Sequence, residues 1–242
     1  MRILLTNDDG MNAPQLVPLI RWCRRLGQVT AVVPKHEQSG KSLGIEMYQP
    51  FEVKEVQLAE DVSALAVDST PADCVRFAVL GLKKEFDLVI SGINKGFNIG
   101  FDTQYSGTAG AAIEAATLGI KAIALSTSPA DYDRVISQLD RVFDFVFDNG
   151  LLDLYGIYNI NIPASPKGIR ITRQGGAYYS DDFEKIGEDL YIARGKNVYE
   201  EKEGFELDTD AALKGYISIM PLAVDRTNFE IYKKLCKKFG QD

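Results

Sequence analysis

Four short runs of this chain are apolar almost without interruption: ILLT at 3–6, VTAVVP at 29–34, DLVIS at 87–91 and IKAIALS at 120–126. A strand with one wet face alternates apolar and polar residues, so a continuous run has both faces buried. Helical patterns stand between these runs: PQLVPLIRWCRRLG at 14–27, PADCVRFAVLGL at 71–82 and TAGAAIEAATLG at 108–119. Strands buried on both faces and joined through helices predict an α/β fold, a mostly parallel sheet flanked by helices. Further strands are expected at FEVKEV (51–56) and SALAVDS (63–69). The later half reads as a helix at 133–150, strands at YNINIP, GIRITRQG and GYISIMPL, and a closing helix at 227–240. Between them, residues 176–207 are polar and aromatic with weak periodicity, which suits either a long hairpin or an arm packed on another subunit. At 242 residues, with 45% hydrophobic and 25% charged side chains, a single domain spanning 1–242, or one domain with an extension, is expected.

A net charge of −7 argues against a nucleic-acid polymer as partner, because such proteins present a basic face. A small phosphorylated ligand remains compatible, since a bound cation can reverse the local sign. Cys23, Cys74 and Cys236 are odd in number and form no CxxC pair, which is the pattern of reduced thiols in a cytoplasmic protein. Asn7, Asp8 and Asp9 interrupt any apolar leader, and no run reaches the roughly 20 residues of a membrane span, so no membrane partner is expected.

Ligands in parallel α/β sheets bind beyond the carboxyl ends of the strands. NDDG at 7–10 stands at such an end, and a turn at Gly10 would let Asp8 and Asp9 reach one ion; by itself the pair could equally cap the next helix. The second strand runs into QSGKS, where Ser39 offers a hydroxyl, to a metal or to a turn. Lys35 stands where a phosphate-binding GxxxxGK[ST] loop needs its first glycine, so that reading fails. The third strand runs into SGINKGFNIGFDTQYSGTAGAAIEAA, with Asn94 and Asn98 in a glycine-rich loop and Ser106, Gly107 and Thr108 opening a helix of small residues. Free backbone N–H groups and the helix dipole make such an end suited to phosphate, or simply to a capping side chain. The donors at the three strand ends are all oxygens, which favours Mg²⁺ or Mn²⁺ over zinc. His36 is the only histidine and reads as a solvated loop residue, so no His-cluster metal site forms.

Taken together, NDDG with Ala13-Pro14, QSG at 38–40, TPADCV at 70–75 and the SGIN…YSGT run resemble the SurE family of divalent-metal-dependent 5′/3′-nucleotidases. The resemblance is dense over residues 1–126 and thinner later, at GYISIMPL and Asp225. It implies a Rossmann-like α/β fold, and one Mg²⁺ or Mn²⁺ per subunit, held by Asp8, Asp9, Ser39 and Asn94. It places Asn98, Ser106, Gly107 and Thr108, with Asp8 and Asp9, among the catalytic residues, and Thr70 to Asp73 near the site. It also implies a nucleoside monophosphate substrate, a C-terminal extension exchanged between subunits near 176–207, and a homodimer or homotetramer. Gln15, Ser69 and the loop KSLGIEMYQP depart from the family's pattern. Two other readings of the residues remain: a metal- and nucleotide-dependent glycosyltransferase, and a non-catalytic nucleotide-binding module. A phosphatase working through an aspartyl phosphate needs DxD, and Gly10 and Met11 after Asp8-Asp9 leave no such motif.

Overall fold

The computed structural model describes residues 1–163, 165–201 and 203–241. The first part of the chain runs β1 (Arg2–Thr6), α1 (Leu16–Cys23), β2 (Gln28–Pro34), β3 (Val53–Ala59), β4 (Val62–Val67), α2 (Pro71–Arg76), β5 (Leu88–Lys95), α3 (Gly107–Thr117) and β6 (Lys121–Thr127). The rest comprises α4 (Leu139–Asp148), α5 (Leu151–Leu154), β7 (Ile157–Ile162), β8 (Ile169–Ile171), β9 (Tyr179–Lys185), β10 (Tyr191–Asn197), α6 (Asp208–Leu213), β11 (Ile217–Pro221) and α7 (Phe229–Phe239).

Among the described residues, nine strands form one sheet in the order β3-β4-β2-β1-β5-β6-β7-β11-β8. The pairings β2–β1, β1–β5, β5–β6 and β6–β7 are parallel, while β3–β4 and β7–β11 are antiparallel. Strand β1 is central, and its apolar run serves two cores. Ile3 and Leu5 pack on one face with Leu16, Leu19 and Ile20 of α1 and Phe143 of α4. Leu4 packs on the other with Val75 of α2 and the alanines of α3. Those alanines (Ala109, Ala111, Ala112 and Ala115) are fully buried, so the third helix lies close against β5 and β6.

Several elements differ from the sequence expectation. The first helix begins at Leu16, after Pro14, and ends at Cys23, short of Gly27. The helix expected over 71–82 keeps regular form only to Arg76, then widens into a π turn at Phe77–Gly81. The one expected over 133–150 opens with a tighter 3-10 turn at Val135–Gln138 before α4. The strand expected at 168–175 is regular only over Ile169–Ile171, with one isolated bridge from Arg173 to Leu207 beyond it. Helices α5 and α6 were not expected; each is at most six residues and too short to display a helical period. Residues 176–207 contain a two-stranded antiparallel hairpin, β9 with β10, outside the main sheet. No described helix is long and apolar enough to cross a membrane.

Candidate active site

The site lies beyond the carboxyl ends of β1, β2 and β5, where the N-terminus of α3 meets them. NDDG is a built turn. The Asn7 side chain donates to Gly10 O at 3.0 Å and accepts from Gly10 N–H at 3.1 Å. Gly10 holds φ at +84°, and a β-carbon there would stand 2.9 Å from the His36 carbonyl carbon. Only glycine tolerates that backbone angle and that approach together. The turn takes Asp8 and Asp9 out of the strand alternation that would have pointed them to opposite faces.

Asp8 is 3% exposed. Thr108 holds it twice, through its backbone N–H at 3.1 Å and through its hydroxyl. Asp8 O accepts from Gln38 N–H at 2.7 Å, which ties the Ser39 loop to the first strand. Gly107 lets α3 approach: a β-carbon there would lie 2.9 Å from Asp8 Cβ and 3.1 Å from Asp8 Oδ2. Burial pushes the Asp8 carboxyl above its ordinary range, against the lowering effect of the two Thr108 bonds. Asp9 is partly exposed, and its Oδ2 accepts from Lys95 N–H at 3.1 Å. Burial first, and then the neighbouring Asp8 charge, raise it to about 6.

The other expected residues occupy two depths. Asn94 precedes Lys95 at the end of β5, and its amide nitrogen donates to Gly96 O at 2.8 Å, leaving the carbonyl oxygen as its donor atom toward an ion. The Ser39 hydroxyl is exposed and donates to Glu37 Oε1 at 2.7 Å. Asn98 sits deeper. Its side chain donates to Ser126 Oγ at 2.8 Å, its N–H donates to Asn161 Oδ1 at 2.8 Å, and its carbonyl accepts from Thr103, Asn159 and Asn161. Ser106 caps α3 by accepting from Ala109 N–H at 3.0 Å. The donors of the helix start are therefore divided: Thr108 N–H goes to Asp8 and Ala109 N–H to Ser106. The end that the sequence suggested for a phosphate already steadies a carboxylate, and its dipole favours that negative charge. Thr70 caps α2, and Asp73 accepts from Glu46 N–H at 2.8 Å, so TPAD clamps the loop that follows Ser39.

Three neighbours were not legible as site residues. Glu37 approaches through Ser39. Tyr132, 4% exposed, lies beside Asp9 and Asp8, and burial together with those charges pushes its phenol up to about 12. The Lys95 ammonium stands 5.7 Å from the centre of the Tyr132 ring. Tyr132 follows β6, and the rule that ligands gather beyond strand ends could have pointed to it. Two grooves adjoin the site. One of about 390 Å³ is lined by Gln38, Lys41, Glu46, Phe51 and Thr70. The other, of about 470 Å³, is lined by Ser42, Gln104, Ser106, Gln174 and Arg226.

Among the described residues, no group of three or more His, Cys, Asp or Glu is arranged to hold a metal. An ion here would rest on two carboxylates and the neutral oxygens of Ser39 and Asn94. That set suits a hard divalent cation, and two adjacent carboxyls driven toward protonation are the electrostatic state a cation relieves. His36 is exposed in its loop, and Cys23 and Cys74 are buried in the cores.

Comparison with known proteins identifies the family and the fold. Residues 3–181 match the family model described as Survival protein SurE. The chain is 34% identical over 250 residues to the 5′-nucleotidase SurE of Thermosipho melanesiensis, covering 99% of this chain and 98% of that one. It is 37% identical over 245 residues to the 5′-nucleotidase SurE of Caldanaerobacter subterraneus subsp. tengcongensis, covering 96% and 95%. The crystal structure of the SurE protein from Aquifex aeolicus superposes with a TM-score of 0.79, at 31% identity and full coverage of both chains.

Proposed function

The chain belongs to the SurE family, and we propose on that premise that it is a phosphoric monoester hydrolase of the 5′-nucleotidase kind. Its substrates are nucleoside 5′- and 3′-monophosphates, and its products are nucleoside and inorganic phosphate. The reading is carried by one observation: Asp8 and Asp9, turned out of β1 by Gly10, meet the Ser39 loop, the end of β5 and the start of α3 at the carboxyl edge of the sheet.

One divalent cation, Mg²⁺ or Mn²⁺, would be held by Asp8, Asp9, Ser39 and Asn94. When bound, such an ion polarises a phosphoryl oxygen and offsets the developing charge. The protein's own groups do the remaining work. Thr108 fixes Asp8 through two bonds, so that carboxylate serves as a rigid anchor. Asp9 is the more exposed of the two, which supports it as the group that takes a proton from the attacking water. Asn98, held in place by Ser126 and Asn161, orients the glycine loop that faces the phosphate. The backbone groups of Ser106 and Gly107, with the dipole of α3, stabilise charge on the transferring group. The two grooves give the nucleoside room.

The reading extends to the whole chain as one domain over 1–242, with 176–207 as an arm exchanged between subunits of a homodimer or homotetramer. Exposed Phe183, Leu190 and Tyr191 on the hairpin support that arm. A cytoplasmic location goes with the three free thiols.

The test is phosphate release from a panel of nucleotides and sugar phosphates by the full chain, first stripped with EDTA and then resupplied with Mg²⁺ or Mn²⁺. Release is expected only with metal and chiefly from nucleoside monophosphates. Full activity in a verified metal-free sample overturns the metal role. Tight nucleotide binding with no release identifies a binding module, and turnover of a nucleotide sugar in place of a monophosphate identifies a glycosyltransferase.

A further inference from the structure

The carboxylates around the site outnumber what a single divalent ion neutralises. Asp8 and Asp9 face the ion position, and Glu37 stands one hydrogen bond away through Ser39. Three negative charges and one divalent cation leave the site at −1, which would repel a phosphoryl dianion. At the metal position itself the ammonium of Lys95 corrects this balance, while Lys41 and Arg226 line the grooves beyond it. The backbone N–H of Lys95 is bound to Asp9 Oδ2 at 3.1 Å, which pins the residue to the edge of the site. Its ammonium stands 5.7 Å from the centre of the Tyr132 ring, and that ring is buried next to both aspartates. Among the described residues the Lys95 ammonium forms no salt bridge, and the side chain is exposed. Lys35, by contrast, is committed to Glu52 and Asp68 at 3.5 and 3.3 Å.

We propose that Lys95 is the substrate-binding cation of this site, and that it meets the phosphoryl oxygens that face away from the metal. Tyr132 acts as its rest, holding the ammonium at the site mouth while the ring face keeps it from collapsing onto Asp9. The ammonium brings the ion-loaded site to neutrality, so a phosphate dianion enters without net repulsion. A point charge on a flexible stem suits a group whose charge changes position during the reaction.

The inference rests on the nucleotidase reading, and its test separates the two. Lys95→Gln, Lys95→Arg and, as a charge-matched control at the opposite end of the sheet, Lys84→Gln are compared with the unaltered full chain. Inorganic phosphate and Mn²⁺ serve as probes. Lys95→Gln is expected to weaken phosphate binding to the Mn²⁺-loaded protein by about tenfold or more, and to raise KM for a nucleoside monophosphate in proportion. The same change is expected to tighten Mn²⁺ binding without substrate by a few-fold, because a like charge beside the ion is removed. A merely structural lysine would not move the two affinities in opposite directions. Lys95→Arg keeps the charge and is expected to retain phosphate binding within about threefold. Salt is expected to weaken phosphate binding to the unaltered chain more steeply than to Lys95→Gln. Unchanged phosphate affinity in Lys95→Gln, with normal hydrolysis by the unaltered chain, overturns the inference and leaves the nucleotidase reading standing. Weakened phosphate affinity in Lys95→Gln, with no hydrolysis of any nucleotide by the unaltered chain, does the reverse. No phosphate binding by the unaltered chain overturns the Lys95 role outright.

Discussion

The edge of the sheet that carries the site and the extension formed by β9, β10 and α7 treat burial in opposite ways. At the site, polar groups are taken out of water: Asp8, Thr108 and Asn98 are all buried, each with hydrogen-bond partners. In the extension, apolar groups are left in water. Phe183 is 70% exposed and Phe239 65%, every residue of β10 is exposed, and α7 has no buried residue. A buried carboxylate without partners would be costly, so the first region is specified by bonds within one chain. An isolated two-stranded hairpin is marginal in water, and the exposed apolar groups of the second region are those that the proposed exchange between subunits would cover. The family model matches residues 3–181, which contain every proposed ligand, and ends inside β9, while relatives align through the extension as well.

The strongest way to test that division is Asp8→Asn. The amide is nearly isosteric, and Thr108 can still donate to its oxygen, so the fold is expected to survive. At the proposed metal site one charge on the ion would be lost, and a cost of about 3 kcal/mol in the transition state is expected to slow turnover roughly a hundredfold or more. Asp181→Asn, on the exposed hairpin, removes the same charge and is expected to change turnover little. Near-normal turnover of Asp8→Asn at saturating metal removes Asp8 from the metal site.

Gly107→Ala probes the same contact sterically. The added methyl group meets Asp8 Cβ at 2.9 Å, so α3 must retreat from β1. Overpacking of this kind costs about 1–3 kcal/mol of stability, and the displaced carboxylate is expected to lower turnover by about tenfold. Urea unfolding and steady-state rates measure the two effects separately.

On the extension, Phe183→Ser combined with Tyr191→Ser is expected to shift the mass in light scattering from an assembly toward the 26.8 kDa chain. Per-chain turnover is expected to stay within about threefold, because the hairpin supplies none of the proposed ligands. An unchanged mass removes the exposed aromatics from subunit contact.

The smallest expected effect is on pH. Asp9 titrates near 6 in the folded chain and near its ordinary value, about 4, when unfolded. The folded state therefore holds its proton more tightly. The contribution is stabilising below about pH 4 and is lost as pH rises through 6. Metal-free protein is expected to lose a few degrees of Tm between about pH 4.5 and 6.5, and Asp9→Asn is expected to flatten that decline. Addition of Mn²⁺ at pH 7 is expected to raise the Tm of the unaltered chain and to do much less for Asp9→Asn. An identical decline in Asp9→Asn assigns the pH dependence to other groups.

What the sequence determined by itself follows from local pattern. ILLT, DLVIS and IKAIALS had to be buried on both faces, and the structure places Ile3 and Leu5 in one core and Leu4 in the other. NDDG at a strand end, the glycine-rich loop and the small-residue helix were legible because turns, caps and helical periods are written in consecutive residues. Other features were decided only by residues far apart in the chain. Thr108 holds Asp8 across 100 positions, and no local signal distinguishes that bond from a phosphate-binding helix end. Asp208 opens a six-residue helix that shows no period, yet it is buried and accepts from the N–H groups of Gly100, Gly175 and Thr209. Strand β11 pairs antiparallel with β7 and parallel with β8, a partnership that its own composition does not announce. Glu37, Lys95 and Tyr132 read as ordinary loop residues until the sheet brings the ends of its strands together. Local sequence fixes periodicity and turn chemistry over a few residues. Charge balance at a site is a sum over strand ends, and only the tertiary structure performs it.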